Sequence, residues 1–373
     1  MQRKLMRSLR KIRLVAAFTV AGLVATTGTA LADNSADTGV DRKVVQETLD
    51  QVTGSGGALG VQARVTDGRQ RFTARSGKAE LGSNRPVPAN GRFRIGSITK
   101  TFVSTVLLQL AGEGKVELDK PVVGYLPGLI DGRITIRQVL QHTSGLYNYT
   151  NALPLGPDEF EQIRYKHWTP QELLKLSTDK PLDFDPGTRW NYSNTNYVVA
   201  GLLVQKLTGG PYAKAVEQRI LKPLRLGDTE IPGDNVEIRG PHAHGYVTVA
   251  GKPNDITRIN PSVAWAAGEV ISTTRDLDTF GVALASGKLL RPAQQREISK
   301  TTAVSPDYGL GLEVQTLPCG TKVWGHSGGI PGYSSQLLTT PDTKKRLELS
   351  VTSTPAGGDP SEAFFKLLNE VFC

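Results

Sequence analysis

Ser97 and Lys100, in the run Phe93-Arg94-Ile95-Gly96-Ser97-Ile98-Thr99-Lys100, are the residues whose types and spacing could do covalent chemistry. A serine hydroxyl needs a base to take its proton, and a lysine can serve once burial lowers its pKa. Gly96 predicts a backbone turn, and Val103, Val106, Leu107 and Leu110 recur after it at helical spacing. Ser97 is therefore expected in the first turn of a helix, with Lys100 on the same face. The helix N-terminus would add free N–H groups and partial positive charge for a developing oxyanion. Alone the pattern is weak. It recurs at Ser8-Leu9-Arg10-Lys11, and a capping serine beside a solvated lysine gives the same letters.

Partners for the pair must come from elsewhere in the chain. Tyr192-Ser193-Asn194 lies between a Trp190-Asn191 turn and a helix expected from Thr195. A phenol and a carboxamide two residues apart in an extended loop point the same way, one to exchange protons and the other to bond a substrate carbonyl. Tyr149-Thr150-Asn151 repeats this pattern, and by pattern alone the two are equal. His326-Ser327-Gly328-Gly329 follows Val323-Trp324-Gly325, read as a short strand whose small residues let a substrate lie alongside. A second such cluster, His142-Thr143-Ser144-Gly145, ends a helix and reads as a terminator whose hydroxyls satisfy backbone groups. His242-Ala243-His244 has no acidic or cysteine partner at ligand spacing, so it reads as solvated loop histidines and no metal is expected.

The elements that must hold these residues begin after a basic leader. Arg3, Lys4, Arg7, Arg10, Lys11 and Arg13 precede the apolar run Leu14 to Val24, and Ala30-Leu31-Ala32 supplies small residues at its end. Residues 1–32 are read as a signal peptide cleaved before Asp33, which predicts a secreted protein with no stable membrane anchor. Without them the net charge falls from +9 to +3, so most of the basicity belongs to the leader and a nucleic-acid partner loses its support. Cys319 and Cys373 are the two cysteines. In an oxidising compartment the pair reads as one disulfide, contributing about 4 kcal/mol by loop entropy.

Periodicity places a helix at 40–52, then a hairpin of 59–65 and 71–75 around Asp67-Gly68. Helices are expected at 136–141, 170–176, 195–207, 212–221, 274–285 and 292–299, and a closing one at 360–372. Strands are expected at 308–317, 322–325, 334–339 and 346–353. Strands at both ends with helices between imply an α/β fold of the α+β type. One antiparallel sheet flanked by helices, from residues 40–115 and 262–373, would receive a mainly helical insertion at 116–261.

Ser97-x-x-Lys100, Tyr192-x-Asn194 and His326-Ser327-Gly328, in this order, resemble the serine penicillin-recognising hydrolases, the branch related to class C β-lactamases. Within it they are most similar to secreted actinobacterial D-alanyl-D-alanine carboxypeptidases. The segments around Gln138 to Leu146, Tyr192 to Tyr197 and Tyr308-Gly309-Leu310-Gly311-Leu312 extend the resemblance over nearly the whole mature chain. The resemblance implies that Ser97 is the nucleophile and that Lys100 and Tyr192 share the proton work, with either as the base. It makes Tyr192, not Tyr149, the family tyrosine. It places the backbone N–H groups of Ser97 and Gly329 at an oxyanion hole, Asn194 on the acyl-side amide, and His326 and Ser327 toward the leaving group. Trp265 would form a wall of the acyl pocket, with plain core packing as the other reading. The expected enzyme is a cofactor-free monomer acting on peptidoglycan peptides and binding penicillin.

One departure bears on substrate. Glu313-Val314 follows the Tyr-Gly-Leu-Gly-Leu run where the nearest carboxypeptidases carry a basic residue, and Gly329 stands where a hydroxyl residue is often found. An acid there repels a substrate's terminal carboxylate. A class C type β-lactamase, or an esterase or amidase on small neutral acyl compounds, is therefore the competing expectation. A non-catalytic binder is disfavoured, because it has no use for lysine and tyrosine together.

Overall fold

The computed structural model describes residues 39–354 and 360–373; the expected signal segment lies outside them. Helix α1 (Arg42–Gly54), capped by the Asp41 carboxylate on the Lys43 N–H, leads into the hairpin β1 (Gly60–Asp67) and β2 (Gln70–Gly77). A two-residue strand, β3 (Phe93–Arg94), and a 3-10 turn at Gly96–Ile98 then deliver the chain to α2 (Thr99–Gly112). The middle of the chain carries α3 (Ile136–Gln141), α4 (Pro157–Ile163), α5 (Pro170–Thr178), α6 (Thr195–Thr208), α7 (Tyr212–Val216) and α8 (Lys222–Leu224). A small hairpin follows, β4 (Tyr246–Val249) with β5 (Lys252–Asp255), and then β6 (Ile271–Ser272), which pairs with β3. The last third adds α9 (Thr274–Ala285), α10 (Pro292–Ile298), β7 (Glu313–Thr316), β8 (Lys322–Ile330), β9 (Tyr333–Thr339), β10 (Lys345–Thr352) and α11 (Ser361–Phe372).

The main sheet is antiparallel with strand order β2-β1-β10-β9-β8-β7, so the first and last parts of the chain form one sheet, joined where β1 pairs with β10. Period-two alternation gives the sheet its two faces. Val61, Val65, Leu347 and Leu349 join α1 and α11 in one apolar cluster, where Leu49 and Val371 meet them. The opposite face carries Arg64, Arg346 and Glu348 toward α9, where Asp278 bonds both arginines. The disulfide Cys319–Cys373 ties the end of α11 to the turn before β8, with Cα atoms 5.8 Å apart.

Sequence periodicity gave α2 a single apolar stripe. In the structure it is buried on all sides, from Thr99 through Leu108. It runs between the sheet side and the helical insertion, with Phe102 stacked on Phe280 of α9 at 3.8 Å and α6 packed along it. Its buried hydroxyls are satisfied by carbonyls: Thr101 donates to Gly311 and Thr105 to Thr101. A helix fixed on every side is a rigid mount for the serine at its start.

Candidate active site

Ser97 stands in the 3-10 turn that precedes α2. The turn is possible because Gly96 adopts φ +52°, a left-handed conformation costly for other residues. A side chain at Gly96 would also meet the Gly329 backbone at 2.7 Å, so glycine lets β8 close against the serine. Lys100, one turn into the buried stretch, reaches back. Its Nζ donates to Ser97 Oγ at 2.9 Å, to Asn194 Oδ1 at 2.8 Å and to the Ala267 carbonyl at 2.6 Å. Every contact is to a neutral oxygen, and no carboxylate touches the amine. Burial therefore pushes the Lys100 pKa well below the ordinary lysine value, against a smaller upward pull from Glu313.

Tyr192 and Asn194 arrive on the loop that leads into α6. Burial drives the Tyr192 pKa well above the usual phenol value, against a smaller downward pull from Ser97. Lys100 Nζ lies 5.0 Å from the Tyr192 ring. Asn194 is fixed by its backbone N–H, which donates to Asn148 Oδ1 at 3.0 Å. The rival Tyr149 points elsewhere: it is buried and donates to the Val263 carbonyl at 2.7 Å. Pattern could not separate the two tyrosines, and geometry does.

Strand β8 runs past the 322–325 expected from sequence to Ile330, and His326 to Gly329 lie inside it. Its first half pairs with β7, as far as Gly325 opposite Glu313, while the whole of Trp324 to Ile330 pairs with β9. The edge at Ser327 to Gly329 is thus left without a strand beside the serine. Glu313 closes one end of that edge. Its Oε1 accepts the Ser327 backbone N–H at 3.1 Å and the Ser327 hydroxyl at 2.6 Å. His326 is buried, accepting from the Tyr308 hydroxyl at Nε2 (2.8 Å) and donating from Nδ1 to the Ser327 carbonyl at 2.5 Å. Burial lowers its pKa, partly offset by Glu313.

Trp265 is half-buried. Its ring lies against Gly201 of α6 and edge-on to Tyr212 at 5.0 Å, with its backbone at φ +39°. Such a φ is strained for a tryptophan, and two residues on, the Ala267 carbonyl accepts from Lys100. Tyr308, the Ala267 carbonyl and Asn148 had no individual sequence signal. They act through atoms that any residue has, or from loops whose path the sequence does not specify.

Around Ser97, then, are a buried lysine whose pKa is lowered, a buried phenol whose pKa is raised, a carboxamide and an open strand edge. Ser97, Tyr192, Asn194, Ser327 and Gly329 are each half-buried, while Lys100 and His326 lie beneath them. The arrangement can deprotonate a hydroxyl, hold a polarised carbonyl and hand a proton to a leaving group.

Comparison with known proteins agrees with this chemistry. Residues 43–368 match a family model described as Beta-lactamase. The crystal structure of a D-stereospecific amidohydrolase from Streptomyces sp. is 42% identical with a TM-score of 0.82, the match covering 89% of this chain and 99% of that one. A D-amino acid amidase from Ochrobactrum anthropi SV3, crystallised with L-phenylalanine amide, is 29% identical with a TM-score of 0.77, covering 88% and 97%. A penicillin-binding protein from Bacillus subtilis (strain 168) is 29% identical over 293 residues, 73% of this chain and 63% of that protein. The chain thus spans just under two thirds of that relative's length.

Proposed function

The chain belongs to the beta-lactamase family of serine hydrolases, and on that premise we propose that it hydrolyses small D-configured amides and esters through an acyl-enzyme on Ser97. Lys100, whose pKa burial lowers, takes the Ser97 proton in its unprotonated form as Oγ attacks the substrate carbonyl carbon. The oxyanion sits between the N–H groups of Ser97 and Gly329, and Asn194 holds the acyl side. As the C–N bond breaks, the Tyr192 hydroxyl relays the proton from Lys100 to the leaving nitrogen. Water then enters, and the same groups return the serine. Losing one oxyanion donor costs on the order of 10²–10³ in rate.

The observation that carries an amide or ester substrate, rather than a peptide ending in a carboxylate, is Glu313. It already holds both donors of Ser327 at the open edge of β8. Carboxypeptidase action on D-Ala-D-Ala peptides would bring a second carboxylate to that place. The D-stereospecific amidohydrolase and amidase among the similar structures support the same choice. His326, buried between Tyr308 and the Ser327 carbonyl, is read as support for this edge. The test is hydrolysis of D- and L-phenylalaninamide by wild type and Ser97→Ala. Turnover of the D-enantiomer that vanishes in Ser97→Ala is expected; turnover of neither enantiomer, or a preference for the L-form, counts against the reading.

We also propose that residues 1–32 direct export. The Cys319–Cys373 disulfide, which needs an oxidising compartment to persist, supports this. Among the described residues no helix is long and apolar enough to cross a membrane.

A further inference from the structure

His142-Thr143-Ser144-Gly145 looks like a helix terminator, and His142 does end α3 in the left-handed conformation, φ +61°. The motif also does something else. Its carbonyls take the backbone of the segment that leads to Tyr192: Gly145 accepts from Asp183 N–H at 2.8 Å, Thr143 from Gly187 at 2.7 Å and His142 from Asn191 at 3.0 Å. The His142 imidazole continues this docking. Nδ1 accepts the Ser193 N–H at 3.3 Å and the Asn196 amide at 3.2 Å, and the ring lies against Tyr192 with centroids 4.2 Å apart. Asn196 is oriented by Ser144, whose hydroxyl donates to its Oδ1 at 2.6 Å.

Two donors on Nδ1 put the ring proton on Nε2. That nitrogen is fully buried with no hydrogen-bond partner among the described residues, facing a cage that includes Tyr197 and Tyr308 at ring distances of 5.4 and 4.9 Å. An imidazolium here would have no counter-ion and would sit near Lys100 and His326. Burial first, then those two groups, hold the His142 pKa well below its usual value.

We infer that His142 is a positioning residue of the reaction: its neutral imidazole, as hydrogen-bond acceptor and stacking surface, sets the turn that brings Tyr192 to Ser97 and Asn194 to Lys100. It touches no substrate. The inference rests on the reading of Tyr192 as the proton carrier. A loose turn would leave substrate binding largely in place and slow the chemical step, because proton transfer depends on donor geometry.

The test compares His142→Phe, which keeps a ring and removes the acceptor, with His142→Asn, which tolerates the left-handed backbone and restores an acceptor oxygen. Expected with D-phenylalaninamide is a kcat loss of at least about tenfold in His142→Phe at nearly unchanged KM, with partial recovery in His142→Asn. Tyr192→Phe is measured alongside. If Tyr192→Phe keeps wild-type kcat, the reading of the tyrosine fails and the inference falls with it. If Tyr192→Phe is impaired while folded His142→Phe keeps wild-type kcat and pH profile, the inference alone is overturned. Should His142→Phe not fold, ¹⁵N-histidine spectra of the wild type decide. A neutral ring with unprotonated Nδ1 at neutral pH is expected, and an imidazolium or an Nδ1–H tautomer overturns the inference.

Discussion

Replacing Glu313 by glutamine removes the one negative charge at the open edge of β8 and leaves an oxygen that can still accept from Ser327. A substrate carboxylate seated beside Ser327 would lie about 5 Å from that charge, given the 2.6 Å contact between Ser327 Oγ and Glu313 Oε1. At an effective dielectric of about 20 the repulsion is about 3 kcal/mol, on the order of 100-fold in kcat/KM. The Glu313 side chain is 17% exposed, so salt trims the effect without removing it. The assay uses two substrates that differ only in the leaving group, an acyl-D-alanyl-D-alanine and its C-terminal amide. In Glu313→Gln the carboxylate substrate should gain on the amide by about 30–100-fold, and the gain should shrink with added salt. A ratio within about threefold of wild type would refute the electrostatic reasoning, because a charge that close must be felt by any carboxylate bound there.

Other perturbations test other parts of the account. Lys100→Met should cost about 10²–10⁴ in acylation rate, and any change in melting temperature separates that loss from the cost of leaving the Asn194 and Ala267 oxygens without their donor. In the wild type, kcat/KM should fall on the acid side as Lys100 gains its proton, at a pH well below the ordinary lysine range. Glu348 is fully buried on β10 with neither oxygen hydrogen-bonded, and burial raises its pKa well above 4.5. The folded state then holds a proton that the unfolded chain loses, so stability declines as pH rises above about 4.5 toward the folded pKa. Glu348→Gln should flatten that decline in thermal melts at pH 5 and 8, and an unchanged slope would count against it. Replacing both cysteines by serine should lower unfolding stability by about 2–4 kcal/mol in a urea titration.

Much of this site is legible in the sequence, for identifiable reasons. Ser97 and Lys100 are neighbours on a helix start, so sequence spacing maps directly onto distance. Strand alternation in β1 and β10 specified one apolar face. What failed depended on tertiary context. The expected strand over Tyr308 to Leu317 shrinks to Glu313–Thr316, because Gly311 turns left-handed at φ +77° and brings the chain against Ser104 and Tyr197. The hairpin of β4 and β5 was read as part of the helical insertion. Its turn residues are Ala250 and Gly251, both at positive φ, and alanine gives no turn signal, while Pro253 breaks the strand pattern. The extension of β8 through Gly329 is not legible in the sequence because Gly328 and Gly329 speak against strand unless a neighbour approaches closely. His142 was read as structure alone, since a loop that docks on it from residues 183–193 leaves no local mark.

The most direct measurement is intact mass and peptide mapping after mixing the protein with benzylpenicillin or a D-phenylalanine ester, quenched from seconds to hours. The account predicts an adduct of the acyl group on the peptide that contains Ser97, absent in Ser97→Ala and slow to form in Lys100→Met. An adduct on another residue, or substrate turnover that survives in Ser97→Ala, would contradict it.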